Sequence, residues 1–133
     1  METPVYLSVA DILLIHKRVI DEFGGDQGLR DRGLLESAVA MPRATFAGKN
    51  LHAGITEQAA AYHFHLCANH PFVDGNKRIA VASAEVFLLA NGYELDASDD
   101  ELEEITMGLA SGQRSKAQVV DFFAAHVRST RDI

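Results

Sequence analysis

Apolar positions recur at helical spacing along most of the chain. Ile12, Ile15, Val19, Ile20 and Phe23 share one face of a first helix. Ser8-x-x-Asp11 can cap its start and Gly24-Gly25 can end it. Asp31 can cap a second helix through Leu34, Leu35, Ala38 and Val39, which Pro42 stops or kinks. Residues 43–55 show no period, and Gly48, Asn50 and Gly54 predict a loop or small hairpin. Thr56 can cap a third helix over about 57–69. The run Ile79–Ala90 is apolar nearly all round, so as a helix it would be buried on most sides, and Asn91-Gly92 closes it. Tyr93-Glu94-Leu95 reads as briefly extended. Ser98-x-x-Glu101 boxes the start of a fifth helix through Leu102, Ile105, Thr106 and Leu109. Ser115-x-x-Gln118 does the same for a last helix through Val119, Val120, Phe122, Phe123 and Val127, after which the end should fray. About six helices and no convincing sheet predict an all-α fold around a buried central helix, Ile79–Ala90.

Composition adds bounds to that picture. The length of 133 residues predicts a single domain spanning 1–133 with a real core. A net charge of −7 and a pI near 5.2 disfavour a direct nucleic-acid role. The one cysteine, Cys67, excludes an internal disulfide framework and reads as a small buried residue. Glu2 stands where a basic leader would begin, and the apolar run is too short to span a membrane, so a cytoplasmic chain is expected. His63-x-His65 invites a metal reading, but residues two apart on a helix point to different faces, and they read as core-edge or surface groups. The acids Asp99, Asp100, Glu101, Glu103 and Glu104 read as a solvated face matched to the positive end of their helix.

The chemistry gathers in His70-Pro71-Phe72-Val73-Asp74-Gly75-Asn76-Lys77-Arg78. Pro71 biases His70 away from the α region, so the third helix should end there. The stretch then lies in a loop that feeds the N-terminus of the buried helix. Free N–H groups and the positive dipole end of a helix attract phosphate. Gly75 lets the backbone approach a ligand closely, and Lys77 and Arg78 add charge. Asp74 could hold Mg²⁺, which prefers carboxylate, water and phosphate oxygens. His70 has the titration range of a general base near neutral pH. Base, metal ligand and phosphate cradle are the parts phosphoryl transfer needs.

These residues resemble the Fic motif, H-P-F-x-[D/E]-G-N-[G/K]-R, and the Lys77 form resembles the Doc branch of the Fic/Doc family. Leu7-Ser8-Val9-Ala10-Asp11, Phe23-Gly24-Gly25, Gly28-Leu29-Arg30-Asp31, Leu88-Leu89-Ala90-Asn91-Gly92 and Gly108-Leu109-Ala110-Ser111-Gly112 continue the resemblance over most of the chain. It implies the all-α Fic fold, with residues 43–55 as a flap that helps position the target segment. It also implies an enzyme using ATP and Mg²⁺. Fic-like proteins mostly transfer AMP to a protein hydroxyl. Doc-like toxins transfer the γ-phosphate to a threonine of elongation factor Tu and stop translation. The AMP-transferring pattern continues as G-N-G-R-x-x-R, whereas this chain has Lys77 at the second glycine and Val81 at the second arginine. Both departures match the Doc branch.

By resemblance, His70 accepts the target hydroxyl's proton and Asp74 binds Mg²⁺. Gly75, Asn76 and Lys77 form the anion nest, with the Asn76 side chain orienting phosphate oxygens. Arg78 neutralises the phosphoryl group, and Phe72 packs inward. The expected function is that of a Doc-like protein kinase toxin of a type II toxin–antitoxin system. An AMP transferase and a catalytically silent binding module on the same fold are the alternatives. Self-inhibiting Fic-like proteins resemble one another in a helix carrying [S/T]-x-x-x-E-[G/N]. No Glu here is followed by Gly or Asn. The resemblance therefore implies restraint by a separate small antitoxin, whose disordered tail folds into a helix in an apolar groove.

Overall fold

The structure, a computed structural model, describes residues 3–131. Its helices are α1 (Val9–Phe23), α2 (Arg32–Ala40), α3 (Gly54–Asn69), α4 (Asn76–Ala90), α5 (Asp99–Ala110) and α6 (Lys116–His126). Three begin with the expected boxes, Ser8–Asp11, Ser98–Glu101 and Ser115–Gln118, each with both reciprocal hydrogen bonds made. Such a cap contributes roughly 0.5–2 kcal/mol. Asp31 caps α2 by accepting from the Leu34 N–H at 2.9 Å. Pro42 sits in a 3-10 turn, Met41–Arg43, where the α-helix stops. The all-α architecture is therefore as expected.

Three local expectations are corrected. First, α3 starts at Gly54, so Thr56 is not its cap; the Glu57 carboxylate instead accepts from the Ala53 N–H at 3.1 Å. Second, beside the small hairpin expected within 43–55, β1 (Thr45–Phe46) with β2 (Lys49–Asn50), there is a second antiparallel ribbon: β3 (Tyr93–Leu95), expected only as briefly extended, pairs with β4 (Val127–Ser129). Val127 thus leaves the last helix and pairs with Leu95, so residues 127–129 are held rather than frayed; residues 132–133, also expected to fray, lie outside the described residues. Third, His63 is fully buried rather than at the core edge. α4 is buried on most sides, as expected, with Val86 and Leu89 exposed. α3 has the most neighbours, packing on α2, α4, α5, α6 and the 3-10 turn.

The core joins Ile12, Leu35, Tyr62, Leu66, Ile79, Phe87, Leu88, Val119 and Phe123. The Tyr62 hydroxyl ties this core to the N-terminal segment, accepting from the Leu7 N–H at 2.8 Å; burial pushes its pKa up to about 12. Small buried residues on α3 and α4 (Ala59, Ala60, Ala80, Ala84) permit close packing of the two helices. α3 and α4 run antiparallel, joined by residues 70–75, so this loop is presented at one end of the pair. The β1–β2 hairpin feeds the opposite end of α3, which over its 16 residues is about 24 Å away along the helix. No described helix is long and apolar enough to cross a membrane.

Candidate functional site

The helix α3 stops because His70 takes the left-handed conformation, φ 51 and ψ 53. Pro71 disfavours the right-handed α region at His70, and a positive φ is uncommon outside glycine, histidine being among the residues enriched there. The last carbonyls of α3 are then capped by Arg30, whose Nε donates to the His70 oxygen at 2.7 Å and whose guanidinium NH2 donates to the Asn69 oxygen at 3.0 Å. The Arg30 and Asp31 N–H groups donate to the Pro71 oxygen, at 2.8 and 3.0 Å. The Val73 N–H donates to the Gly28 oxygen at 3.0 Å, so Leu29 and Phe72 meet as an isolated antiparallel bridge. Residues 28–31 therefore strap the loop in place. Phe72 is buried, as expected, and the His16 ring stacks on it at 3.7 Å and 7°. The His70 ring itself is exposed and makes no protein hydrogen bond among the described residues. Its nitrogens are available to an incoming hydroxyl.

The other half of the site is the start of α4. Gly75 is its N-cap at φ 81, with no side-chain cap. The positive φ favours glycine, and a Cβ there would meet Ile20 Cδ1 at 3.1 Å, so that side chain would have to give by a few tenths of an ångström. The first N–H of α4 to find a helical acceptor is that of Ile79, on the Gly75 oxygen at 2.8 Å. The N–H groups of Asn76, Lys77 and Arg78 have no protein acceptor among the described residues. This is an uncapped, positively poled helix end. The Asn76 side chain, expected to orient phosphate oxygens, is turned inward. It accepts from the Phe72 N–H at 2.9 Å and donates to the Phe72 oxygen at 2.8 Å. What Asn76 offers outward is its backbone N–H. Lys77 and Arg78 are exposed, and the Arg78 guanidinium lies 3.9 Å over the Phe23 ring.

Asp74 is fixed at two points. Its Oδ2 accepts from the Asp26 N–H at 2.9 Å, and its main-chain oxygen contacts His16 Nε2 at 2.9 Å. The other carboxylate oxygen has no protein partner among the described residues. An oxygen donor beside an anion nest fits Mg²⁺, which usually takes one or two carboxylates and fills its shell with water and phosphate. The described residues hold no cluster of three or more acidic, His or Cys ligands, so an all-protein metal cage is not what is built here. The structure thus brings His70, Asp74, Gly75, Lys77, Arg78 and the Asn76 backbone N–H together on one loop and the first turn of α4. Two further residues hold that loop: Arg30, quoted in the sequence only within the Gly28–Asp31 match, and His16, which the sequence reading passed over. A polar residue midway along the Ile12–Ile20 apolar stripe was the available signal for His16.

The remaining histidines lie elsewhere. His63 donates to Thr106 Oγ1 at 2.9 Å, and burial pushes its pKa down to about 4. His65 faces α6, accepting from Lys116 Nζ at 2.9 Å; burial, then the Lys116 charge, pushes it down to about 4. His52 accepts from the same ammonium at 2.8 Å and is lowered by the same causes. Cys67 is buried, and burial raises its thiol pKa.

Comparison with known proteins follows the motif. The model of the Fic/DOC family matches residues 6–88. A protein named Toxin Doc from Mycolicibacterium smegmatis is 38% identical over 109 residues, covering 77% of this chain and 84% of that one. A protein named Protein kinase doc from Escherichia phage P1 is 32% identical over 116 residues, covering 87% and 90%.

Proposed function

This chain is a member of the Fic/Doc family, and from that premise we propose that it is a Doc-like toxin. On this reading it is a single-domain protein kinase that moves the γ-phosphate of ATP to a threonine of elongation factor Tu in the cytoplasm and so blocks translation. The observation that carries the choice is Lys77 with Val81. Lysine replaces the space a glycine would leave against the phosphates, and valine removes a second arginine clamp one turn beyond Arg78. The names of the two relatives support it.

On this reading, the exposed His70 imidazole takes the proton of the target hydroxyl. The N–H groups of Asn76, Lys77 and Arg78 hold phosphate oxygens, and Lys77 adds its ammonium. Arg78 leaves the Phe23 ring to neutralise the charge developing on the transferred group. Asp74, through its free oxygen, would hold Mg²⁺, which when bound neutralises phosphate charge. ATP labelled on the γ-phosphate should label the target, and ATP labelled on the α-phosphate should not. Label from the α-phosphate would mean AMP transfer, and no label from either would mean a silent binding module.

Restraint is assigned to a small antitoxin. Val86 and Leu89, three residues apart on one face of α4, are exposed apolar surface that an amphipathic helix would cover. The acidic chain favours basic residues on that partner. Expression alone should arrest growth, and co-expression of the neighbouring small open reading frame should relieve it. A neighbour that neither binds nor relieves would refute this.

A further inference from the structure

We propose that His16 is a positioning residue of this site: its ring N–H holds the Asp74 carbonyl and thereby sets the turn that aims Asp74 and the start of α4. His16 sits midway between Ile12 and Ile20 on the buried face of α1 and is 2% exposed. An aliphatic side chain would fill that place at no polar cost, so a buried imidazole there needs a partner. Its partner is the Asp74 main-chain oxygen, 2.9 Å from Nε2. A carbonyl oxygen only accepts, so Nε2 carries the hydrogen and donates. No other protein group bonds that oxygen among the described residues.

The consequence runs through one peptide plane. In a trans peptide the C=O and the following N–H point in opposite directions. Anchoring the Asp74 C=O toward α1 turns the Gly75 N–H away from α1, where no described protein acceptor meets it. The same anchor fixes the approach to Gly75, whose φ of 81 starts α4. Gly75 N–H then joins those of Asn76, Lys77 and Arg78 in a continuous run of free donors, the form of an anion nest. The ring face completes the hold: it stacks on Phe72, whose main-chain N–H and C=O are held by the Asn76 side chain. His16 therefore holds the turn at Phe72 and at Asp74, although it comes from a different helix and its hydrogen bond is to a main-chain atom.

Only the effect on ligand binding rests on the phosphoryl-transfer reading; the clamp is a property of the free chain. Two variants separate clamp from filler. His16→Phe keeps the ring stack and the burial but removes the donor. His16→Gln loses the stack but keeps a donor in the Nε2 position. In the wild type, nitrogen NMR should show His16 as the Nε2–H tautomer with a slowly exchanging ring proton. In His16→Phe, helical circular dichroism should be retained. The loop amides of Phe72, Val73 and Ile79 should exchange about tenfold faster, the scale of losing one part-buried hydrogen bond. Mg²⁺–ATP should bind about tenfold more weakly by calorimetry, and His16→Gln should recover part of both losses. Wild-type protein that binds no Mg²⁺–ATP would count against the kinase reading, while the exchange data would still decide the clamp. An Nδ1–H tautomer, or loop exchange in His16→Phe equal to wild type, would overturn the inference. If His16→Phe fails to fold, the tautomer and ring-proton measurement on the wild type decides.

Discussion

His70 has a bare, solvent-facing ring on a backbone held by others, which is why its side chain can be removed without removing the loop. The Arg30 guanidinium grips its carbonyl, and Pro71 receives two N–H bonds from residues 30 and 31. His70→Ala should therefore abolish transfer and cost less than about 1 kcal/mol, since alanine bears the φ 51 conformation only slightly worse. Circular dichroism with a transfer assay checks this, and a folded, active variant would remove His70 from the role of base. Arg30→Ala should cost about 1–3 kcal/mol and reduce transfer, because it uncaps Asn69 and His70 together; urea titration beside the same assay reads both. Lys77→Gly should weaken γ-phosphate transfer, and transfer at the wild-type rate would show that Lys77 does not set the reaction. The residues of the 70–78 stretch were legible because their chemistry is consecutive in the chain. The roles of Arg30 and His16 were not, because their partners lie 40 and 58 residues away; Arg30 stood only within the Gly28–Asp31 match and His16 in none.

Elements were legible where their ends are written in side chains. The boxes at Ser8, Ser98 and Ser115 placed three helices, and each is made as written. α3 begins at Ala53–Gly54 without a side-chain cap on its N-cap residue, so Thr56 offered a false start. β4 was hidden because the helical period of α6 runs on through Val127, while the strand's partner, β3, lies some thirty residues earlier. The turn into α4 carries its own prediction. Gly75→Ala places a Cβ 3.1 Å from Ile20 Cδ1 at φ +81. That conformation alone costs roughly 1–2 kcal/mol for a residue with a Cβ. Thermal unfolding should show this loss, and a Gly75→Ala variant as stable as wild type would mean that the turn relaxes freely.

At the scale of the molecule, burial has left histidines neutral inside an acidic chain. His63 titrates near 4 in the fold against 6.5 when free, so between those values the unfolded chain binds the extra proton. Stability from His63 is therefore complete above pH 6.5 and falls as pH drops toward 4, by at most on the order of 3 kcal/mol. His65 acts in the same direction over the same window. Denaturant titrations between pH 7.5 and 4.5 should show this slope, and His63→Gln, which retains a donor for Thr106, should flatten it; an unchanged slope would mean that His63 is not its source. The molecule as a whole is an α3–α4 hairpin that presents an imidazole, a carboxylate and an uncapped helix end on one loop. That account is tested most directly by the intact mass of elongation factor Tu after incubation with this protein, ATP and Mg²⁺. The account predicts a gain of one phosphate, mapped to a threonine, and no gain with His70→Ala. A gain of AMP, or an unchanged mass with active wild-type protein, would contradict it.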